Sequence, residues 1–262
     1  MRFSLCALTA LLLAGCLRTE PLERVAVPMA ALPKPILPPR IARRKISGII
    51  VEGVAFDSRS HRLVVVDQPG GPGSLYADSA AAAKALGGIA AVNAGFFTPE
   101  GAPLGLVAAA GKISGAWNGA SSLGSGVWHQ TRAGRSAIIR REALGRVKAG
   151  ASRELIQAGP LLVENSQVVG GLDATKASAR TVILWDGGSR WWVGCTSPCT
   201  LAALAQALDA GEPADWTVRQ ALNLDGGRSS DLWISRDLPG GPILRRPPWN
   251  RPVRNFLVLS TR

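Results

Sequence analysis

The sequence predicts an α+β fold of mixed, largely antiparallel sheets with a few packed helices. Three observations point there. Short segments rich in branched and aromatic residues dominate the chain. Two well-capped helical segments stand among them without strict strand–helix alternation. After each of those helices, the chain runs into a small-apolar strand that ends in asparagine. That echo has two readings: chance, because Asn and Gly are common at strand ends, or two related halves whose equivalent strands lie side by side.

The N-terminus comes first. Arg2 precedes the apolar stretch "LCALTALLLAG", which is too short to cross a bilayer as a helix and has the length of a signal peptide, residues 1–15. It closes in "LLAGC", which resembles the lipobox of bacterial lipoproteins, with Cys16 acylated as the mature N-terminus; a plain secretory signal is the alternative. Lipid chains contribute about 0.8 kcal/mol per buried methylene, enough together for firm membrane anchoring. Leu17 is not an aspartate, so the expected address is the bacterial envelope, on the periplasmic face of the outer membrane.

Residues 16–45 read as a tether. Six prolines, Pro21, Pro28, Pro33, Pro35, Pro38 and Pro39, favour extended chain, and Arg40, Arg43, Arg44 and Lys45 form a basic end suited either to anionic headgroups or to solvent. Residues 46–262 then suffice for one large domain. The chain carries 30 Lys and Arg against 18 Asp and Glu, a net charge of +12, or +11 once Arg2 leaves with the signal segment. No recognition-helix, zinc-finger or basic-aromatic pattern accompanies this charge, so it argues against nucleic acid and for an anionic substrate or surface, with a solvated basic surface as the alternative. Cys195 and Cys199, in "GCTSPCT", are expected to form a disulfide in an oxidising compartment. A zinc site would need further ligands, and His61 and His129 are the only histidines.

"HRLVVVD" (His61 to Asp67), "RTVILWD" (Arg180 to Asp186), "RWWVGC" (Arg190 to Cys195) and "NFLVLS" (Asn255 to Ser260) read as strands. "DSAAAAKALGG" reads as a helix capped by Asp78 or Ser79 and stopped by Gly87. "TLAALAQALDAG" places Leu201, Leu204 and Leu208 on one face between the cap Thr200 and the stop Gly211. The following strands end at Asn93 in "AVNAGFF" and at Asn223 in "ALNLDGGRSS". The second ends in Asp225, Gly226, Gly227, Arg228, Ser229 and Ser230, either an ordinary Asp-Gly turn or a working carboxylate beside a flexible turn and two hydroxyls.

Four segments in order, "AVNAGFFTPEGAPLGLVAAAGKI", "LIQAGPLLVENSQVV", "ARTVILW" and "ALNLDGGRSS", resemble the phosphodiester glycosidase family over roughly residues 46–262. The resemblance implies cleavage of a sugar-1-phosphodiester in a phosphate-bearing glycan. It casts Asp225 as base, nucleophile or electrostatic stabiliser and Arg180 as a bidentate phosphate clamp. Asn93, Asn223, Gly226, Gly227, Ser229, Ser230 and Thr181 become substrate-binding candidates. Two positions depart from the family's pattern: Ala94 stands where Gly is commoner, and Arg228 replaces a frequent third glycine and sets a bulky cation at the pocket rim. The same fold could instead serve a non-catalytic carbohydrate- or cell-wall-binding envelope lipoprotein.

A second catalytic carboxylate is not evident; Glu100 and Glu164 are equally suited to solvated loops. Phe96 and Phe97 read as one core and one pocket-wall residue, and Trp117, Trp128 and Trp233 as core residues with some capacity to stack on sugar. No cofactor is expected, and a divalent metal near Asp225 stays open.

Overall fold

The computed structural model describes residues 35–262; the signal segment 1–15, Cys16 and the tether up to residue 34 lie outside them. In chain order the elements begin with strands β1 (Arg40–Ile46), β2 (Ile49–Asp57) and β3 (His61–Asp67), helix α1 (Ser79–Ala85), and strands β4 (Ala90–Asn93), β5 (Val107–Ala109) and β6 (Lys112–Ser114). Next come β7 (Gly126–Gln130), β8 (Ser136–Arg140), α2 (Arg141–Gly150), β9 (Glu154–Ala158), β10 (Leu161–Glu164) and β11 (Gln167–Val168). Last are β12 (Thr181–Trp185), β13 (Arg190–Thr196), α3 (Leu201–Ala210), β14 (Gln220–Asn223), β15 (Leu232–Ile234), β16 (Ile243–Arg245) and β17 (Asn255–Thr261). The strands form three sheets, in the orders β1-β2-β13-β12-β14-β10-β11, β16-β15-β4-β17-β3 and β6-β5-β9-β7-β8. Their pairings are antiparallel throughout, in keeping with the α+β class.

All three sheets contribute to one core, which holds Val54, Ile183, Trp191 and Leu222 of the first, Leu63, Val92, Leu232 and Leu257 of the second, and Val107, Trp128 and Ile156 of the third. Each sheet's other face is covered by a helix: α3 over Val182, Leu184 and Trp192, α1 over Ala91 and Val258, and α2 over Val127 and Leu155. Trp128 and Trp191 are fully buried. Each removes roughly 150–250 Å² from water, on the order of 4–6 kcal/mol of transfer free energy. Their indole N–H groups have no partner, which offsets part of that gain.

The two predicted helices start as their caps require. The Asp78 carboxylate accepts from Ala81 N at 2.8 Å, and the Thr200 hydroxyl from Ala203 N at 3.1 Å. Gly211 ends α3 for a reason other than a left-handed turn: a Cβ there would lie 2.7 Å from Ile46 Cγ2. Helix α2 was not expected. Gly145, at φ 70° and ψ 154°, breaks it into two turns and hides its period.

Two expectations fail. The fold begins before residue 46, because Arg40–Ile46 pair along their whole length with β2. Arg40 and Arg44 form ion pairs with Asp215, and Arg43 with Glu52, so much of the basic cluster is bound to the domain itself. The Cys195–Cys199 disulfide is also absent: both are free, buried thiols. Cys195 faces the central core with Trp191 and Val193, whereas Cys199 packs under α3 on the sheet's other face. A strand face separates the two sulfurs.

The two halves are present, though not side by side. The order β13-β12-β14-β10-β11 recurs as β3-β17-β4-β15-β16, with α3 joining β13 to β14 and α1 joining β3 to β4. The registers of the first three strands agree residue for residue, while β10 carries a bulge against β14 that β15 lacks against β4. Val182 faces Asn223 as Phe256 faces Asn93, and Thr181 faces Cys195 as Asn255 faces Asp67. The hydrogen bonds beyond the strands match too: Leu224 N to Thr181 O and Ala94 N to Asn255 O, then Thr196 N to Arg180 O and Gln68 N to Arg254 O. β4 and β14 belong to different sheets, and their ends meet.

Candidate active site

The meeting point builds the site. Beyond β14, Asp225 N donates to Ala94 O at 2.9 Å, and Asn93 Nδ2 donates to Asp225 O at 2.6 Å. The carboxylate is thus placed by the backbone at the end of the other half's central strand. The chain then turns through Gly226 and Gly227. A Cβ at Gly226 would come 2.7 Å from Ala179 O, and Gly227 has φ +61°, so this turn needs both glycines. Gly227 N donates to Ala179 O at 2.8 Å and holds the turn against the residues leading into β12.

A cleft of about 950 Å³ opens over this turn, lined by Arg180, Asn223, Asp225, Gly226, Gly227 and Ser230 from the expected set. Asp225 is only 7% exposed, and its Oδ2 is buried without a hydrogen-bond partner. Burial pushes its pKa up to about 6, against the opposing effects of the Ser229 hydroxyl, the Arg251 charge and the Gly226 amide. Asn223 donates through Nδ2 to Gly159 O at 2.9 Å, while its buried Oδ1 has no partner. Two buried acceptors therefore wait in the wall of one cleft.

The cations complement them. Arg180 is half-buried, with Nε donating to Cys199 O at 3.1 Å and Nη2 to Lys176 O at 2.6 Å. Burial pulls its pKa below the ordinary arginine value, with Cys199 and Asp173 opposing; a guanidinium stays charged at any physiological pH. Arg251 donates through Nε to Ser229 Oγ at 3.2 Å and lies 4.7 Å from the centroid of the Phe97 ring. Among the described residues no carboxylate comes within 4 Å of Arg180, Arg251, Arg228 or Lys176, all of which line the cleft.

Asn93, Thr181 and Ser229 were expected to touch substrate, and the structure sets them behind the cleft wall, buried. Asn93 spends its side chain inside: besides Asp225 O, its Oδ1 accepts from the Thr181 hydroxyl at 2.7 Å and from Asp231 N at 3.0 Å. These three hold the turn in place. Phe96 forms cleft wall and Phe97 packs into a core cluster. Trp128 is core, Trp117 and Trp233 pack on core clusters away from the cleft, and Glu164 pairs with Arg140. Of the residues lining the cleft, Asp225 is the one carboxylate. No three His, Cys, Asp or Glu side chains among the described residues are grouped closely enough to hold a metal ion.

Sequence reasoning missed the opposite wall, "LRRPPWNR", Leu244 to Arg251. Arg245 pairs with Glu52 at 2.5 Å, and Arg246 with Asp78 at 3.0 Å and the buried Asp231 at 3.6 Å. These ion pairs anchor the wall. Its sequence signal was available: three arginines and a tryptophan on a backbone stiffened by two prolines.

The phosphodiester glycosidase family model matches residues 86–260. No curated protein matches the chain. Among solved structures, the zebrafish N-acetylglucosamine-1-phosphodiester α-N-acetylglucosaminidase catalytic domain, auto-inhibited by its pro-peptide, is similar at 19% identity and TM-score 0.59, over 87% of this chain and 85% of that one. A hypothetical protein from Synechocystis is similar at 17% identity and TM-score 0.58, over 88% of this chain and 65% of that one. A "Putative exported protein" from Burkholderia pseudomallei is similar at 15% identity and TM-score 0.54, over 80% of this chain and 74% of that one. These likenesses concern the fold, while the family model spans most of the chain, the Arg180 and Asp225 segments included: the protein belongs to the phosphodiester glycosidase family.

Proposed function

We propose that this protein is an exported, lipid-anchored hydrolase that breaks the bond between a sugar's anomeric carbon and a phosphate in an envelope or extracellular glycan. One observation carries the reading. A single cleft joins two buried acceptors, Asp225 Oδ2 and Asn223 Oδ1, to two cations, Arg180 and Arg251, and among the described residues the acceptors have no donor and the cations no carboxylate within 4 Å. Sugar hydroxyls satisfy the first pair and a phosphate satisfies the second.

The chemistry follows from these groups. Phosphate leaves as an anion without needing a proton, so the cleft requires no strong acid. Arg180 and Arg251 stabilise the charge that gathers on the departing phosphate oxygen as the C1–O bond breaks. Asp225, ionised, faces the positive charge that develops on the sugar and takes the proton of the water that adds to C1. Hydrolysis in ¹⁸O-labelled water tests the bond cleaved. The label is expected in the released sugar; label in the phosphate would mean P–O cleavage and a different enzyme class.

The address rests on the sequence around Cys16. Cys16→Ser is expected to move the protein from the membrane fraction to the soluble exported fraction. Equal partitioning of both forms would exclude the lipid anchor.

A further inference from the structure

The Arg180–Asp225 end of the cleft accounts for one sugar and one phosphate, and its mouth is built differently. Arg228 is exposed, and its Nε donates to Trp249 O at 3.2 Å, while Arg251 N donates to Arg228 O at 3.2 Å. These two bonds stitch the Asp225 turn to the opposite wall and hold the Arg228 guanidinium beside Trp249. Trp249 is 63% exposed, although it is the largest apolar side chain at the mouth, and its neighbour in the lining, Leu244, is 53% exposed. Arg245 and Arg246 are neutralised by carboxylates, whereas Arg228 has none within 4 Å among the described residues. An uncovered indole face, an uncovered leucine and an uncompensated guanidinium share one rim.

An indole face stacks on the apolar face of a sugar ring, and a free guanidinium fork grips a phosphate or carboxylate. We propose that the cleft mouth is a second subsite, in which Trp249 stacks on a sugar beyond the scissile phosphate and Arg228 binds an anionic substituent on that sugar. The substrate class is then a glycan carrying a further acidic group next to the cleaved linkage. This inference rests on the glycosidase reading for its kinetics and stands apart from it for its binding.

The probes are three hexose-1-phosphodiesters whose second residue is a neutral hexose, a hexuronic acid or a hexose monophosphate. Affinity is measured by calorimetry on Asp225→Asn protein, which holds the probes uncleaved, at fixed ionic strength. At least one charged probe is expected to bind about tenfold or more tightly than the neutral one. Which of the two does so identifies the substituent as carboxylate or phosphate. In Asp225→Asn/Arg228→Gln this preference is expected to collapse to within about twofold, and Trp249→Ala added to Asp225→Asn is expected to weaken charged and neutral probes alike. Wild-type kcat/KM should show the same preference between probes, and Arg228→Gln should erase it. Equal binding of the three probes, or a preference that survives Arg228→Gln, would overturn the second subsite. If no probe is cleaved while the binding preference holds, the hydrolase reading fails and the subsite stands.

Discussion

Arg180 and Arg254 stand immediately before equivalent strands, β12 and β17, of the two halves, and the fold treats them in opposite ways. Arg254 is buried and forked onto Asp67, with Nε to Oδ1 at 2.8 Å and Nη2 to Oδ2 at 3.0 Å, and it donates to Gly101 O besides. The residue at the position of Asp67 in the other half is Cys195, a neutral thiol, and Arg180 keeps its charge for the cleft. The neighbouring positions diverge in the same sense. Gly95 stands where the other half has Asp225, and Asn93 uses both ends of its amide internally where Asn223 leaves Oδ1 unpaired. One architectural unit is thus used twice, closed into a brace in one half and left open in the other. At these positions the difference lies in Cys195 for Asp67, in Asp225 for Gly95, and in the unpaired Oδ1 of the Asn223 amide.

The largest expected effect breaks the brace. Asp67→Asn leaves the Arg254 charge buried without its carboxylate and is expected to cost about 3–5 kcal/mol of stability. Denaturant unfolding should show this, and the remaining folded protein should keep its turnover. Next comes the open half. Arg180→Lys keeps the charge and loses the planar fork, so kcat/KM on a sugar-1-phosphodiester should fall roughly a hundredfold, about 3 kcal/mol, with stability within about 0.5 kcal/mol of wild type. If the two variants exchanged these phenotypes, the assignment of brace and site would be reversed.

A third effect comes from Asp225 and pH. Its folded pKa, about 6, lies above its ordinary 3.8. The native state therefore retains a proton that the unfolded chain releases, and stability falls as pH rises through the interval between those values, by roughly 2–3 kcal/mol in all. Asp225→Asn removes that fall, so the variant should match wild type near pH 3.5 and exceed its stability near pH 7.5. Activity should run the other way and rise as the carboxylate ionises near pH 6. A pH-independent stability difference between the two proteins would contradict a raised Asp225 pKa. The smallest effect concerns the cysteines: with Cys195 and Cys199 unlinked, a reducing agent should leave the melting temperature unchanged within about 1 °C, whereas a disulfide would contribute on the order of 2 kcal/mol.

Much of this organisation was legible in the sequence. The strands at His61, Arg180, Arg190 and Asn255 carry branched and aromatic runs, and the helices at Ser79 and Leu201 begin at side-chain caps; both signals are local, so a single sequence displays them. The Asn93 and Asn223 echo marked the repeat, but its layout was hidden because β17, at the far end of the chain, supplies the strand that β12 supplies in the other half. Arg40–Ile46 read as tether because three arginines and a lysine masked a strand whose charges are compensated by Asp215 and Glu52, distant in sequence. Asp225 stood out by its Gly-Gly turn. Arg251, Trp249 and the buried Asp231 did not, because their roles come from long-range contacts that no local pattern encodes. Asn93 was misjudged for a related reason: its type suits a ligand contact equally well, and only the packing of two strand ends shows its amide to be fully used inside.

The most direct test of the open half is Asp225→Asn, because it removes one charge and almost no volume. Steady-state release of free sugar from a hexose-1-phosphodiester cleaved by the wild type, together with the melting temperature of each protein, separates chemistry from folding. The expected result at pH 7.5 is a folded variant, at least as stable as wild type, whose kcat/KM is lower by about two to three orders of magnitude. Wild-type turnover in Asp225→Asn would contradict the assignment and leave "ALNLDGGRSS" as a turn that closes a sheet.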